Sequence, residues 1–252
     1  MQDEIYTPPM PEDRYDAERV EHSRLRYRLL SGAWKQDLEQ VLAREIGSVR
    51  LRAWGPDPDL TKNVFRNVVS QLSVLYDSEP VITHEEPGAA EELQKIITRG
   101  GLWQFAPRLQ QITVGLREGF YRLAVVGGED PVLSIRVVSP DMVLATPDID
   151  EPDRPVEITE FRLRMIGDDY EWTRDVLSIK GDPYFRVLSG DGSEDLSEMF
   201  LGVRGGLVGS KGTYPYYCEG KPCLPYTLYH AERNSHLFSP YFGFELVQGS
   251  LI

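Results

Sequence analysis

Four side chains near the C-terminal end have the types that hold zinc. Cys218 and Cys223 have four residues between them, and His230 and His236 follow. Zinc needs four ligands converging at about 2.0–2.3 Å. Six residues separate Cys223 from His230 and five separate His230 from His236, whereas two-Cys, two-His sites have a much longer middle gap. Tyr226 to His230 also reads as one continuous strand, which carries His230 away from the cysteines. Carboxylate pairs are a second candidate: Asp57/Asp59, Asp148/Asp150, Asp168/Asp169 and Glu194/Asp195. Such pairs can hold a divalent ion or share acid and base work. These pairs sit in turns beside Pro or Gly, where Asp is favoured for its bonds to local backbone. The stretch GGLVGSKGT resembles a phosphate loop, but Ser210 stands between Gly209 and Lys211, and no strand and helix bracket it. No Ser-His-Asp or Cys-His arrangement can be identified without geometry. The residues therefore assign no catalytic group, cofactor or metal. A metal-dependent hydrolase using turn carboxylates or the Cys218/Cys223/His230/His236 set is the alternative reading.

Arg19, Arg24, Arg26 and Arg28 make residues 16–30 the most basic part of the chain. A solvated helix face, paired with Glu18 and Glu21, accounts for them. Contact with an acidic partner or with phosphates is the sharper alternative. Arg24, Arg26 and Arg28, with Arg66 further on, are the candidate partner or subunit contacts.

The elements that must position these residues begin with a Pro-rich arm over 1–16. A helix starting near Asp16 follows, carrying Val20, Leu25, Tyr27, Leu29 and Leu30. Gly32 interrupts it, and a second helix is predicted from Lys35 to Ile46, stopped by Gly47. The central helix runs from Asn63 to about Asp77, with Asp59 or Thr61 as its cap. Val64, Val68, Leu72 and Leu75 form its apolar stripe, widened by Phe65, Val69 and Tyr76. A Leu72→Asp change is accordingly expected to disrupt folding. Pro80 forbids continuation, and Val81-Ile82 reads as a short strand. Helices over Ala89–Thr98 and Leu102–Glu118 follow, with Pro107 tolerable only in a first turn. Beyond Gly119 the texture turns to strands. Phe120–Val126 and Val132–Val138 form a hairpin, SPDMVLATPD a short strand, and VEITEFRLRMIG, DYEWTRDVLSIKG and PYFRVLSG a meander with one wet face. A loop over 191–212 and a last strand, LPYTLYH, complete the described pattern, and FGFELVQ begins another helix. The four tryptophans are scattered as core or interface anchors. Helices first and antiparallel strands second make an α+β fold: a helical part over about 17–119 and a β-rich part over about 120–252.

Bulk properties exclude several classes. The net charge is −13 over 252 residues, which argues against a dedicated nucleic-acid clamp. No apolar run is long enough for a spanning helix, and the acidic N-terminus has no signal-peptide h-region. Two cysteines suit a reducing compartment or an incidental pair.

The segment FRNVVSQLSVLYDSEPVI resembles an early helix of tailed-bacteriophage portal proteins. The order of the segments behind it is also similar. A helix ending in Arg117-Glu118-Gly119 leads into Leu123-Ala124-Val125. VVSPDMVLATPD, ITEFRLR and DVLSIKG then resemble the wing's β-meander, and LPYTLYHAERNSHLFSPYFGFELVQGSL the passage into the rest of a portal. The resemblance covers most of residues 15–252. It implies a structural protein and not an enzyme: a homo-oligomeric ring, usually of twelve subunits, at one capsid vertex of the virion, assembled in the host cytoplasm. Double-stranded DNA passes through such a ring without sequence specificity during packaging and ejection. The ring's partners are the major capsid protein, the large terminase and the head–tail adaptor. Portals of this kind are longer, and their stem and clip lie beyond the region matched, so this chain is expected to end where that part begins.

Overall fold

Helix α1 shows how this chain departs from simple amphipathic patterning. The computed structural model describes residues 8–33, 63–74, 81–86, 88–126, 132–148, 155–201, 216–218 and 220–230. In it α1 spans Arg14–Ser31. The cap is Asp13 and not Asp16: its carboxylate accepts the Asp16 N–H at 3.1 Å, satisfying one of the orphan donors of a first turn. The buried face carries Arg19, Val20, Ser23, Arg26 and Leu29, at helical spacing but with two arginines in it. Pro8, upstream in the expected arm, is buried.

The predicted helix over 35–46, its stop at Gly47 and the proposed caps Asp59 and Thr61 lie outside the described residues. The central helix, α2, is shorter than expected at Val64–Leu72. Asn63 caps it. Its side-chain oxygen accepts the Arg66 N–H at 2.8 Å, and its Nδ2 donates to the Leu29 carbonyl at 2.6 Å. One residue thus satisfies an orphan donor of α2 and a late carbonyl of α1. The apolar stripe is also corrected. Phe65 and Val69 face the core, while Val64, Val68 and Leu72 are 56%, 37% and 60% exposed. Val81-Ile82 is irregular backbone rather than a strand.

Helix α3 (Ala89–Gly100) and helix α4 (Leu102–Leu116) meet at Gly101, which has φ 73° and closes one helix while starting the next. Gly100 packs so closely that a Cβ there would lie 2.9 Å from the Leu133 carbonyl oxygen. Pro107 stands inside α4, not in its first turn. Its missing N–H leaves one carbonyl of the preceding turn without its helical partner. Helix α4 ends at Leu116 through Arg117, whose φ is 76°. Glu118 and Gly119, expected to finish the helix, open the sheet instead.

Strands β1 (Glu118–Val126) and β2 (Val132–Val138) form the predicted hairpin, Phe120 opposite Val138 and Val126 opposite Val132. A 3₁₀ turn at Pro140–Met142 leads to β3 (Val143–Pro147). The meander continues through β4 (Pro155–Ile166), β5 (Asp169–Ser178) and β6 (Tyr184–Ser189), pairing in the order β3-β4-β5-β6. Inside the predicted loop, α5 (Ser197–Leu201) is held by Leu196 N–H to the Val187 carbonyl and by Ser197 Oγ accepting the Val187 N–H. A small hairpin, β7 (Tyr216–Cys218) and β8 (Lys221–Cys223), precedes β9 (Tyr226–His230). Strand β9 returns to the other edge of β1, giving a three-stranded sheet of order β2-β1-β9.

The chain is thus the expected α+β fold, with helices first and antiparallel sheets second. Strand β1 is its hinge of burial, because successive side chains point to opposite faces. Tyr121 and Ile135 pack with Leu109 of α4. Phe120 and Val138 pack with Val143 and Ile158 of the meander.

Candidate functional site

Two groups of arginines leave α1 in different directions, and their spacing decides which goes where. Arg19 and Arg26 are seven residues apart, two helical turns, and share the buried face. Arg19 Nη1 donates to Glu118 Oε1 at 2.7 Å and to the Pro140 carbonyl at 3.1 Å, and Nη2 donates to the Val143 carbonyl. Arg26 Nη1 donates to the Leu116 carbonyl at 3.3 Å, at the end of α4. Burial raises the pKa of the Glu118 carboxyl, against the pull of Arg19. Burial lowers that of Arg26, reinforced by Arg117. The expectation of a solvated helix face fails for both arginines. They bind the start of β1, the 3₁₀ turn and the end of α4 to α1, and Arg26 is buried there.

Arg24 and Arg28, four residues apart, lie on another face and open into a cleft of about 520 Å³ between α1, α4 and β2. Arg108 of α4 and Arg136 of the edge strand β2 enter from the far side. Among the described residues Asp141 is the only acidic one lining it, and Tyr27, Phe105, Ile112 and Met142 give it apolar walls. Arg24 donates to the Pro8 carbonyl at 2.6 Å and contacts Met10 Sδ at 2.9 Å. Its Nε is buried without a hydrogen bond and lies 3.9 Å from Asp141 Oδ2. Burial lowers the pKa of Arg24, Asp141 opposes that, and Arg28 adds to it. Arg136 stacks over the Phe105 ring at 5.2 Å, a cation–π contact. A smaller cavity of about 160 Å³, sharing Tyr27, Arg108 and Ile112, adds Arg66. Three of the four candidate arginines therefore line these two adjoining cavities. Arg108 and Arg136 were not found from the sequence. Only their isolation as charges, one on an otherwise apolar or amide-bearing helix and one in a Val/Ile strand, marks them.

A third charged group joins the two sheets. Arg122 of β1 and the Tyr226 hydroxyl of β9 both donate to the buried Glu160 of β4. Asp175 of β5 accepts from Arg162 at 2.9 Å and from Arg164 Nη2 at 2.7 Å, and Thr173 accepts from Arg164 at 2.6 Å. Burial raises the Glu160 pKa, with Arg122 opposing. The Tyr226 hydroxyl is pushed well above its ordinary value by burial and by Glu160. The arrangement staples the β1 sheet to the meander. The predicted wet face of the meander thus carries buried charge near its middle.

The zinc-type residues are spread over separate elements. Cys223 pairs with Tyr216 and Cys218 with Lys221 in the β7-β8 hairpin. His230 ends β9 opposite Glu118; His236 lies outside the described residues. Asp168 sits in the β4-β5 turn, and Asp195 Oδ1 accepts the Ser197 N–H at 2.9 Å to start α5. Asp57, Asp59, Asp150 and the GGLVGSKGT stretch lie outside the described residues. Among the described residues no group of three His, Cys, Asp or Glu side chains is placed to hold a metal. No protein-family model and no curated protein matches this chain.

Proposed function

We propose that this chain is the wing-like part of a portal-type ring subunit, a structural protein of a tailed-phage capsid vertex. The observation that carries it is the element order: a helical half, the β1-β2 hairpin, a Pro-Asp turn and then a meander paired strictly in sequence. Among the described residues the elements follow the same order as the stretches that resemble portals. The outward apolar side chains of α2, Val64, Val68 and Leu72, are the kind of surface a neighbouring subunit covers in a heterologous ring contact. The partners follow from that role: about twelve copies of the chain by resemblance to other portals, the major capsid protein, the large terminase, the head–tail adaptor and double-stranded DNA in transit. Native mass spectrometry and negative-stain micrographs of the full-length protein test it. Closed rings with a central hole are expected; a persistent monomer at micromolar concentration counts decisively against it.

A further inference from the structure

We propose that the small cavity between the end of α1, the start of α2 and α4 binds a single phosphate group, either free phosphate or the phosphate monoester of a small molecule. Every group that carries this lies in one chain, so it stands whether or not the chain closes into a ring.

Three helices build the cavity, which measures about 160 Å³. Arg108, Gln111 and Ile112 are three and four residues apart on α4 and share one face. Tyr27 and Leu30 come from the last turns of α1. Leu30 Cδ2 lies so near α4 that a Cβ on Gly115 would stand 3.3 Å from it. The start of α2 is tied to α1 by Asn63, through its bond to the Leu29 carbonyl at 2.6 Å, and Arg66 follows three residues later. Its Nη1 would lie 3.8 Å from a Cβ on Gly32, just past α1, so the guanidinium reaches back to the end of that helix. The negative end of α1 is partly answered there. The Arg28 carbonyl accepts the Gly32 N–H and the Ser31 hydroxyl, each at 3.1 Å, and the Leu29 carbonyl is taken by Asn63.

Uncommitted donors point to the ligand. Among the described residues the side chains of Tyr27, Arg66, Arg108 and Gln111 make no hydrogen bond, ion pair or ring contact. Both arginines are exposed, so a ligand can reach them. A guanidinium donates two parallel N–H groups to one oxyanion. Two such forks, a phenol and an amide N–H together offer about six donors, whereas a carboxylate has about four lone-pair sites on two oxygens. The three free oxygens of a phosphate monoester offer about six by the same count. Size agrees, because the cavity is well below the range of about 300–1,000 Å³ that holds drug-sized ligands. It suits a phosphate and a few further atoms, with Tyr27, Leu30 and Ile112 beside them.

Calorimetric titration of the full chain in low-salt, phosphate-free buffer tests this with three probes: inorganic phosphate, phenyl phosphate and acetate. At least one phosphate should bind with a Kd of about 1 mM or tighter, and acetate about tenfold more weakly or worse. Phosphate binding at least as tightly as phenyl phosphate assigns the free ion; phenyl phosphate binding tighter assigns a monoester. Arg66→Gln and Arg108→Gln should each lower phosphate affinity about tenfold, as loss of charge-assisted hydrogen bonds does, and the double variant by more. Arg14→Gln removes the same charge from a 93% exposed side chain in the first turn of α1 and should leave affinity within about twofold, as befits a distant screened charge. Because the glutamines could disturb folding, melting curves accompany each variant. Arg66→Lys/Arg108→Lys, which keeps both charges and loses only the forks, is measured beside them and should also bind about tenfold more weakly. The proposal is overturned if neither phosphate binds at about 1 mM, if acetate binds as tightly as phosphate, or if the folded Arg66 and Arg108 variants bind like Arg14→Gln.

Discussion

Arg19 and Arg24 are five residues apart on one helix, yet they have opposite fates. Arg19 has its charge answered inside the chain by Glu118, and its two Nη atoms donate to that carboxylate and to two carbonyls. Arg24 shares a cavity with three other arginines and one aspartate. The difference is angular. Five residues turn a helix by about 500°, so the two side chains leave about 140° apart. One meets the start of β1 and the 3₁₀ turn, and the other meets the gap between α1, α4 and β2. Residue type predicts charge; the neighbours the fold supplies decide whether that charge is structural or left available.

The sharpest way to break the comparison is at the buried pair. Glu118→Leu removes the nearest counter-charge of the buried Arg19, leaving Asp16 Oδ1 at 3.8 Å, and should cost about 3–5 kcal/mol, read by denaturant melts. Arg19→Met combined with Glu118→Leu should recover much of that loss, since replacing both charges avoids the unpaired ion. A double variant as unstable as the single would show that the pair does more than answer itself. Phe65→Ala, which removes the buried anchor of α2, should cost about 3–5 kcal/mol as well. Leu72→Asp should change monomer stability by less than about 0.5 kcal/mol, as an exposed site, while abolishing ring assembly. A loss of folding there would restore the sequence-based expectation.

The next test uses pH. Burial raises the pKa of Glu118 and Glu160 above the ordinary 4.5, despite Arg19 and Arg122. The native state then holds more protons than the unfolded chain in that window. Their contribution is full below 4.5 and is lost as pH climbs through the raised values. Asp191 acts in the opposite sense, because hydrogen bonds from Ser189 and Ser193 hold it at about 2, so its contribution is lost as pH falls from 3.8 to that value. Stability measured across pH should decline above 4.5, and the decline should flatten in Glu118→Gln/Glu160→Gln. An equal decline in both proteins would assign it to other groups. The smallest effect is expected at the cleft rim: Arg28→Gln should leave the melting midpoint almost unchanged, within about 0.5 kcal/mol.

Much of the fold was legible because it rests on local periodicity. The β1-β2 hairpin, the meander and the αβ order follow from period-two runs punctuated by Gly, Pro and Asp. The stripe of α2 was misassigned because Val64, Val68 and Leu72 fit helical spacing as well as Phe65 and Val69 do. Periodicity gives a face, but not which of two adjacent apolar faces is covered. Asn63 was missed as a cap because its second bond, to Leu29, is not local. The candidate site was legible only in part. Arg24, Arg28 and Arg66 were singled out together with Arg26, which is buried, and Arg108 and Arg136 lie too far along the chain for spacing to join them to α1.

By itself the sequence determined the β1-β2 hairpin, the meander, the α+β order and the excess of negative charge, since each depends on near neighbours or on composition. Tertiary structure alone decided which arginines are answered and which are gathered. Those outcomes depend on contacts spanning 99 residues in the case of Arg19 and Glu118. Such contacts form only when β1, the 3₁₀ turn and α4 arrive together around α1, and no local pattern encodes the angle at which they do.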